Sequence, residues 1–378
     1  MTLRLGLLLG LGFFGTFLAC SSDDDTPAVT TTPDASVADT GSSQTTDAGA
    51  DTGSDAGATS GTWSYVPIDG AVCANGSPTG IGINVGTSKR LVIYMEGGGA
   101  CWDEATCFKT SVGGQSYAQN LDGWDEAKFT ARIATMNESH ISRTSANNPF
   151  KDDTFVYVPY CTGDVHAGNK VQTYPEHTMS FVGRKNMDAY LAKLTTQFGD
   201  ASRVVLTGSS AGGFGSAINY WRVAKAFGSV RVDLVDDSGP PFPTDQMAYY
   251  PQWVPAWDLE GALPPDCAEC AGGNIPKIMP YYAKTYPNSR FALLSYDQDG
   301  TISFFFNLQQ NDFQYQLGLM NAATFDPNAN TKYYEVAGTT HTMLRDLAAV
   351  SATPALATWL NDMVSDSASW ASVKPVQE

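Results

Sequence analysis

Short apolar runs alternate with longer amphipathic segments through most of this 378-residue chain. Runs rich in Val, Leu, Phe and Tyr predict buried strands, and apolar residues at helical spacing predict helices. Strands that alternate with helices indicate an α/β fold with a mainly parallel central sheet flanked by helices. Residues 240–285, rich in Pro, Tyr and Trp, interrupt the alternation and predict an irregular cap or insertion. The predicted strands are 91–95, 154–158, 203–207, 230–235, 290–296 and 332–337, and the predicted helices are 187–198, a segment ending near 227, and 354–364.

Composition limits the possible functions. Hydrophobic residues make up 43% of the chain and charged residues 16%, which is enough apolar material for one large domain or two smaller ones. The net charge of −17 would repel a phosphate backbone, which argues against nucleic-acid binding. Four histidines in the whole chain make a multi-histidine metal site hard to build, and we expect no metal and no organic cofactor.

The N-terminus predicts export. In residues 1–20 one base, Arg4, precedes an apolar run that is too short for a comfortable membrane span. The run ends in Ala19 and Cys20, which resembles the bacterial lipobox, in which the cysteine receives lipid and becomes the mature N-terminus. We therefore expect lipid on Cys20 to anchor the protein to the cell envelope, with the outer membrane favoured. The alternative is an ordinary secretory signal with an incidental cysteine and an extracellular product.

Residues 21–61 predict a disordered acidic linker. They contain eight Asp, no Lys or Arg, and almost no large apolar side chain. Such a segment has nothing to offset the entropy lost on ordering. The predicted organisation is thus a signal over 1–20, a tether over 21–61 and one domain over 62–378.

Six cysteines remain after Cys20, and an even number behind an export signal argues for disulfides. Counting alone allows fifteen pairings. Cys101 and Cys107, and likewise Cys267 and Cys270, are close enough in sequence to close local loops, which would leave Cys73 and Cys161 as a long-range pair. The alternative for Cys267 and Cys270 is a redox or zinc site of the C-x-x-C type.

A G-x-S-x-G segment centred on Ser210 follows a predicted strand and precedes a predicted helix. This context is the one that a nucleophile elbow requires, because the tight turn excludes side chains beside the serine. The helix N-terminus behind the turn favours developing negative charge. The alternative is a glycine- and serine-rich turn that is structural or binds phosphate.

A serine nucleophile requires a base and an acid that orients it, and both follow Ser210 in the expected order. His341 comes after the last predicted strand and is the only histidine beyond Ser210. Asp297 comes directly after 290–296 and is favoured as the acid over Asp299. The same stretch mimics the D-x-D-G-T signature of haloacid-dehalogenase phosphatases, but too little chain follows it for that fold. It is also a poor calcium loop, since no Glu closes it.

A glycine loop, residues 96–100 (EGGGA), follows the first predicted strand. In hydrolases of this type the corresponding loop supplies backbone amides to an oxyanion. We expect the amides of Gly98, Gly99 and Ala211 to form an oxyanion hole. The alternative is a glycine turn without a catalytic role.

Taken together, these segments resemble the pectin acetylesterase family, which includes Notum-like carboxylesterases. The resemblance extends over roughly 280 residues. The matching segments are 71–78 (AVCANGSP), 95–101 (MEGGGAC) with Cys107, 158–165 (VPYCTGDV), 208–213 (GSSAGG) and 236–239 (DDSG).

The resemblance implies an α/β-hydrolase-like fold and a triad of Ser210, Asp297 and His341. It also supports the pairs Cys73–Cys161 and Cys101–Cys107. Ala100 stands where plant members carry tryptophan, so the acyl pocket is expected to differ in shape.

The expected function is that of an exported serine carboxylesterase that removes O-acyl groups, acetyl above all, from a polysaccharide such as pectin. The expected partners are this ester substrate and a membrane. Two alternatives remain open, a deacylase of long-chain lipid or protein esters and a non-catalytic carbohydrate-binding surface lipoprotein.

Overall fold

The order of strands in the central sheet brings the carboxyl ends of several parallel strands to one edge. The computed structural model describes residues 60–109, 116–136 and 139–375. Within these, eight strands form one sheet in the order β1-β2-β4-β3-β7-β8-β9-β10. From β4 to β10 neighbouring strands are parallel, whereas β1 and β2 add antiparallel to the β4 edge. The strands are β1 (Trp63–Val72), β2 (Pro78–Asn84), β3 (Arg90–Met95), β4 (Thr154–Val158), β7 (Arg203–Ser209), β8 (Val232–Asp237), β9 (Phe291–Tyr296) and β10 (Thr331–Val336), with β5 (Lys170–Thr173) and β6 (Thr178–Phe181) pairing as a separate antiparallel ribbon.

Helices cover both faces of the sheet. They are α1 (Glu126–Thr135), α2 (Gly183–Phe198), α3 (Ala211–Phe227), α4 (Tyr250–Trp257), α5 (Ile278–Thr285), α6 (Gly300–Phe306), α7 (Gln310–Met320) and α8 (Leu356–Val364). Because side chains alternate along a strand, each central strand contributes to two cores. Ile93 and Leu206 pack on the face that α3 covers, whereas Val92 and Val205 pack on the face that α8 covers. The predicted α/β-hydrolase-like fold with a mainly parallel sheet is confirmed.

Each of the six predicted strands and three predicted helices corresponds to an element of this sheet or its flanks. The two antiparallel edge strands were not predicted. β1 contains Pro67 and Gly70 and exposes many of its side chains, and β2 is rich in glycine, so neither forms a continuous apolar run. Their pairing with β4 depends on tertiary contacts.

The predicted cap over 240–285 consists of α4, α5 and short 3-10 turns, and two of its tryptophans are buried. Trp253 is 5% exposed and Trp257 is 1% exposed, so these two side chains form part of the core. All three cysteine pairs form disulfides, Cys73–Cys161, Cys101–Cys107 and Cys267–Cys270. The C-x-x-C segment is therefore a local disulfide in the cap.

Residues 1–59 lie outside the described part of the chain, and with them the predicted signal, the lipid-bearing Cys20 and nearly all of the predicted linker. Among the helices that the structure describes, none has the length and apolar character needed to cross a membrane.

Candidate active site

Ser210 occupies a sharp turn between β7 and α3, at the carboxyl edge of the sheet. Its backbone has φ 59° and ψ −121°, a strained conformation for a residue with a side chain. Gly208 is needed beneath it, because a Cβ there would lie 2.2 Å from the carbonyl oxygen of Gly212. The strand, the strained serine and the helix that follows are the three parts of the elbow predicted from G-x-S-x-G.

His341 lies on the loop after β10, and its acid partner is Asp299. The imidazole Nδ1 lies 2.7 Å from Oδ2 of Asp299, whose side chain is fully buried. The other carboxylate oxygen of Asp299 accepts the amides of Thr301 and Ile302 and so caps α6. Since a carboxylate only accepts, Nδ1 carries the proton and Nε2 is the free acceptor.

The prediction that Asp297 orients His341 is wrong. Its carboxylate accepts the Gly338 amide at 2.9 Å and the Gln314 side-chain amide at 2.5 Å, and so braces the ends of β9 and β10 against α7. Asp297 continues the strand pairing, since its own amide donates to Val336. The chain turns into α6 only at Asp299, and this turn directs the second carboxylate to the histidine loop.

Ser210 and His341 line the same cavity, whose volume is about 650 Å³. The Nε2 atom of His341 is buried and has no hydrogen-bond partner among the described residues. Ser210 Oγ makes no hydrogen bond to this Nε2, and what the two side chains share is the cavity in which a serine would pass its proton to an imidazole.

The glycine loop lines the same cavity as His341 and lies directly against the elbow. A Cβ at Gly97 would lie 2.4 Å from the carbonyl oxygen of Ser209, so a larger residue would push the loop away from Ser210. Gly98 and Gly99 have φ values of 152° and 76°. Within the described residues, the structure records no hydrogen bond donated by either amide. Ala211 begins α3, where helix amides have no partner inside the helix.

Two buried side chains that were not predicted from the sequence, Glu96 and His166, stabilise the position of this loop through hydrogen bonds. The Glu96 carboxylate accepts the amide of Tyr160 at 3.1 Å and Nε of Arg132 at 3.1 Å. The Glu96 carbonyl oxygen lies 2.8 Å from Nε2 of His166. Burial lowers the pKa of His166 to about 4, so the neutral ring donates from Nε2. A Glu directly before three glycines was the signal that could have found this brace.

A small apolar pocket opens beside Ser210. Its volume is about 30 Å³, and Gly99, Ala100 and Ser210 form one side of it. Large buried side chains, among them Trp253, Trp257 and Phe306, close the other side. By the same measure one water molecule needs roughly 10–15 Å³, so the pocket has room for a group of two or three heavy atoms.

The larger cavity is polar, and its wall includes Glu96, which is paired with Arg132, as well as Arg345. Arg132 and Arg345 line it together with Asn120, Tyr117 and Trp124. Arg345 is exposed. In the described part of the chain no group of three or more His, Cys, Asp or Glu side chains is arranged to hold a metal ion.

Known proteins share both the sequence pattern and the fold. Pectin acetylesterase 11 of Arabidopsis thaliana is 24% identical over 59% of this chain and 58% of its own length. Palmitoleoyl-protein carboxylesterase notum2 of Xenopus laevis is 30% identical over 40% of this chain and 31% of its own length. The chain thus spans between about a third and three fifths of these relatives.

The fold comparison extends further. The structure of the Wnt deacylase Notum from Drosophila has a TM-score of 0.59 and 18% sequence identity, covering 83% of this chain and 96% of that one. The family described as Pectinacetylesterase matches residues 64–361, which is most of the chain. The chain therefore belongs to the pectinacetylesterase family.

Proposed function

We propose that this protein is a serine carboxylesterase that removes short O-acyl groups, acetyl above all, from a polysaccharide. One observation carries the proposal: Ser210, on a strained elbow, borders both an apolar pocket of about 30 Å³ and a cavity lined by His341, whose Nδ1 is paired with the buried Asp299. The family membership and the relatives named as acetylesterases and carboxylesterases support the same reaction.

The reaction proceeds through an acyl-enzyme. Ser210 Oγ attacks the ester carbonyl carbon while Nε2 of His341 takes the hydroxyl proton, and Asp299 stabilises the imidazolium. The amides of Gly98, Gly99 and Ala211 donate to the oxyanion. The carbon–oxygen bond to the sugar breaks, and His341 returns the proton to the departing alcohol. A water molecule, deprotonated by His341, then attacks the acyl carbon and releases the acid and Ser210.

The size of the acyl pocket favours acetyl. A group of two or three heavy atoms fits about 30 Å³, whereas a long acyl chain would have to displace Trp253 or Phe306. The alternative, a long-chain deacylase, has the relatives named palmitoleoyl-protein carboxylesterases in its favour. Turnover of p-nitrophenyl esters from C2 to C16 separates the two, and we expect C2 to be the best substrate.

The larger cavity suits a sugar chain that bears carboxylates, such as pectin. Residues 62–378 contain 31 acids and 21 bases, after the eight Asp of 21–61 and Arg4 are set aside, so this part of the chain has a charge of −10. Arg345 at the cavity wall is a local exception to this acidity, whereas Arg132 is already paired with Glu96. Guanidinium groups pair well with carboxylates, and the aromatic side chains beside them can stack on sugar rings.

The direct test compares purified wild-type protein with Ser210→Ala. We expect the wild type to hydrolyse p-nitrophenyl acetate and to release acetate from acetylated pectin, and the variant to lose both activities. Glycan binding by the wild type with no ester turnover would instead support the non-catalytic surface lipoprotein.

The proposal includes export and anchoring, which come from residues 1–61 alone. Metabolic labelling with a fatty-acid probe should mark the wild type and not Cys20→Ala. Equal labelling of both proteins would reject lipid attachment at this cysteine and favour the ordinary secretory signal.

A further inference from the structure

The segment 236–239 (DDSG) is one of those that resemble the pectin acetylesterase family, and it has no role in the mechanism described above. Asp237 ends β8, next to Ser209 at the end of β7 in the sheet register, and its side chain is fully buried. Both oxygens of this carboxylate accept hydrogen bonds. The donors of Asp237 come from the two loops that carry Ser210 and His341.

On the nucleophile side, Asp237 is bonded to two consecutive residues of the elbow. Its Oδ2 accepts the hydroxyl of Ser209 at 2.8 Å, and its carbonyl oxygen accepts the amide of Ser210 at 2.7 Å. The position of the strained serine is thereby tied to the end of β8 through both the main chain and a side chain.

On the histidine side, the amides of the three residues after His341 donate hydrogen bonds to Asp237 or to the next residue, Ser238. The amide of Met343 lies 2.9 Å and 3.1 Å from the two carboxylate oxygens of Asp237, and that of Leu344 lies 3.0 Å from Oδ2. The amide of Thr342, a residue with φ 63°, donates to Ser238 Oγ at 3.2 Å. Successive amides that converge on one acceptor form an anion-binding nest.

Both loops therefore meet on one carboxylate. Burial raises the pKa of Asp237, whereas the donated hydrogen bonds and His341 oppose that rise. An ionised carboxylate can accept all of these bonds, but an amide cannot, because its NH₂ group would face a backbone N–H.

We propose that Asp237 is a positioning residue that sets the distance and angle between Ser210 and His341 by binding the elbow and the histidine loop at once. This role rests on the proposed esterase function, since it acts through the serine–histidine pair. It is separate from the role of Asp299, which touches the imidazole itself.

The test compares Asp237→Asn with Asp236→Asn as the matched control. Asp236 is also buried, but it accepts one hydrogen bond, from the Gly239 amide, and its Oδ2 has no partner among the described residues. Burial raises the pKa of Asp236 well above its ordinary value. The side-chain oxygen of an asparagine can still accept the one hydrogen bond from Gly239. Asp236→Asn should keep the wild-type kcat within about twofold.

For Asp237→Asn we expect kcat on p-nitrophenyl acetate to fall about 100-fold per folded molecule, with KM changed less than about threefold, because a misplaced base loses the reaction and not the binding. The folded fraction is measured by circular dichroism and thermal unfolding. A merely structural residue would lower the melting temperature and leave kcat per folded molecule unchanged. That result, or an equal loss in Asp236→Asn, would overturn the proposal.

Ser209→Ala keeps the test decisive if Asp237→Asn does not fold. It removes one donor from the elbow side and should lower kcat about fivefold, as expected for one hydrogen bond. An unchanged kcat in this variant would reject the proposal.

The rate at which a fluorophosphonate labels Ser210 is measured alongside, because it reports on the serine–histidine pair even if the wild type hydrolyses no ester. Inactivity of the wild type towards esters would thus reject the proposed function, and slower labelling of Asp237→Asn than of wild type would still support the role of Asp237, whereas equal rates would reject it.

Discussion

The imidazole of His341 and the carboxylate of Asp299 lie 2.7 Å apart, and the same carboxylate caps the helix that begins one residue later. One oxygen of Asp299 orients the base and the other holds two helix amides. The orientation of His341 is therefore coupled to the start of α6. Asp297, two residues earlier, is committed to bracing the strand ends.

This arrangement predicts different results at the two aspartates. Asp299→Asn should lower kcat by about 10⁴, because an amide no longer fixes the imidazole tautomer. Asp297→Asn keeps an acceptor for Gly338 and should lower kcat less than about tenfold. The measurement is steady-state hydrolysis of p-nitrophenyl acetate by both variants. A larger loss at position 297 than at 299 would contradict the assignment of the acid.

The apolar pocket predicts which residue limits acyl length. Trp253→Leu should raise the ratio of kcat/KM for p-nitrophenyl propionate over acetate by about tenfold, because room for one methylene group is worth that much in an apolar pocket. Trp221→Leu is the matched control, since Trp221 is half-buried and lines a different groove. An unchanged ratio in Trp253→Leu would show that another side chain closes the pocket.

The charged cavity wall predicts a substrate-dependent effect of Arg345. Arg345→Ala should raise KM for acetylated pectin about fivefold and leave KM for p-nitrophenyl acetate unchanged, because only the first substrate carries carboxylates. Added salt should weaken wild-type binding of pectin in the same direction. Lys225→Ala removes an exposed positive charge near the C-terminal end of α3 and should alter neither constant. Equal effects on both substrates would argue against carboxylate recognition.

A pH effect on stability is expected at Glu335 on β10. Burial, together with the charge of Asp297, raises its pKa to about 7, although Asn321 donates to it. The folded protein then binds this proton more tightly than the unfolded chain. The stability that protonation provides is therefore fully present below about pH 4 and is lost as the pH rises through 7.

Glu335→Gln removes this dependence. The free energy of unfolding of the variant, relative to wild type, should rise by roughly 3 kcal/mol between pH 4 and pH 8, from about 1.4 kcal/mol for each unit of pKa shift. Urea unfolding at the two pH values measures it, with the exposed Glu176→Gln as control. A difference that does not vary with pH would contradict the raised pKa.

Local patterns were sufficient for the central parallel strands and for the serine elbow. The runs that became β3, β4 and β7 are apolar throughout because parallel central strands are buried on both faces, so their sequences report their positions directly. The elbow could also be predicted from the local sequence, because the tight turn at Ser210 leaves no room for a side chain at Gly208. His341 followed from its order in the chain.

The acidic partner of His341 could not be predicted from local patterns. Asp297 and Asp299 are separated by one residue and have the same chemistry, and choosing between them required knowing where β9 ends and α6 begins. The hydrogen bonds of Glu96, His166 and Asp237 could not be predicted either, because each joins segments that are distant in sequence.

The sequence by itself determined the fold class, the serine elbow, the glycine loop and, through spacing and family resemblance, the cysteine pairs, and it predicted His341 as the base of the proposed reaction. Tertiary structure alone decided which aspartate faces His341, how small the apolar pocket beside Ser210 is and which buried carboxylate joins the loops of Ser210 and His341. The physical reason is range: propensity, turn sterics and periodicity act over a few residues. Side-chain hydrogen bonds and pocket volumes depend on where separate strands end in space.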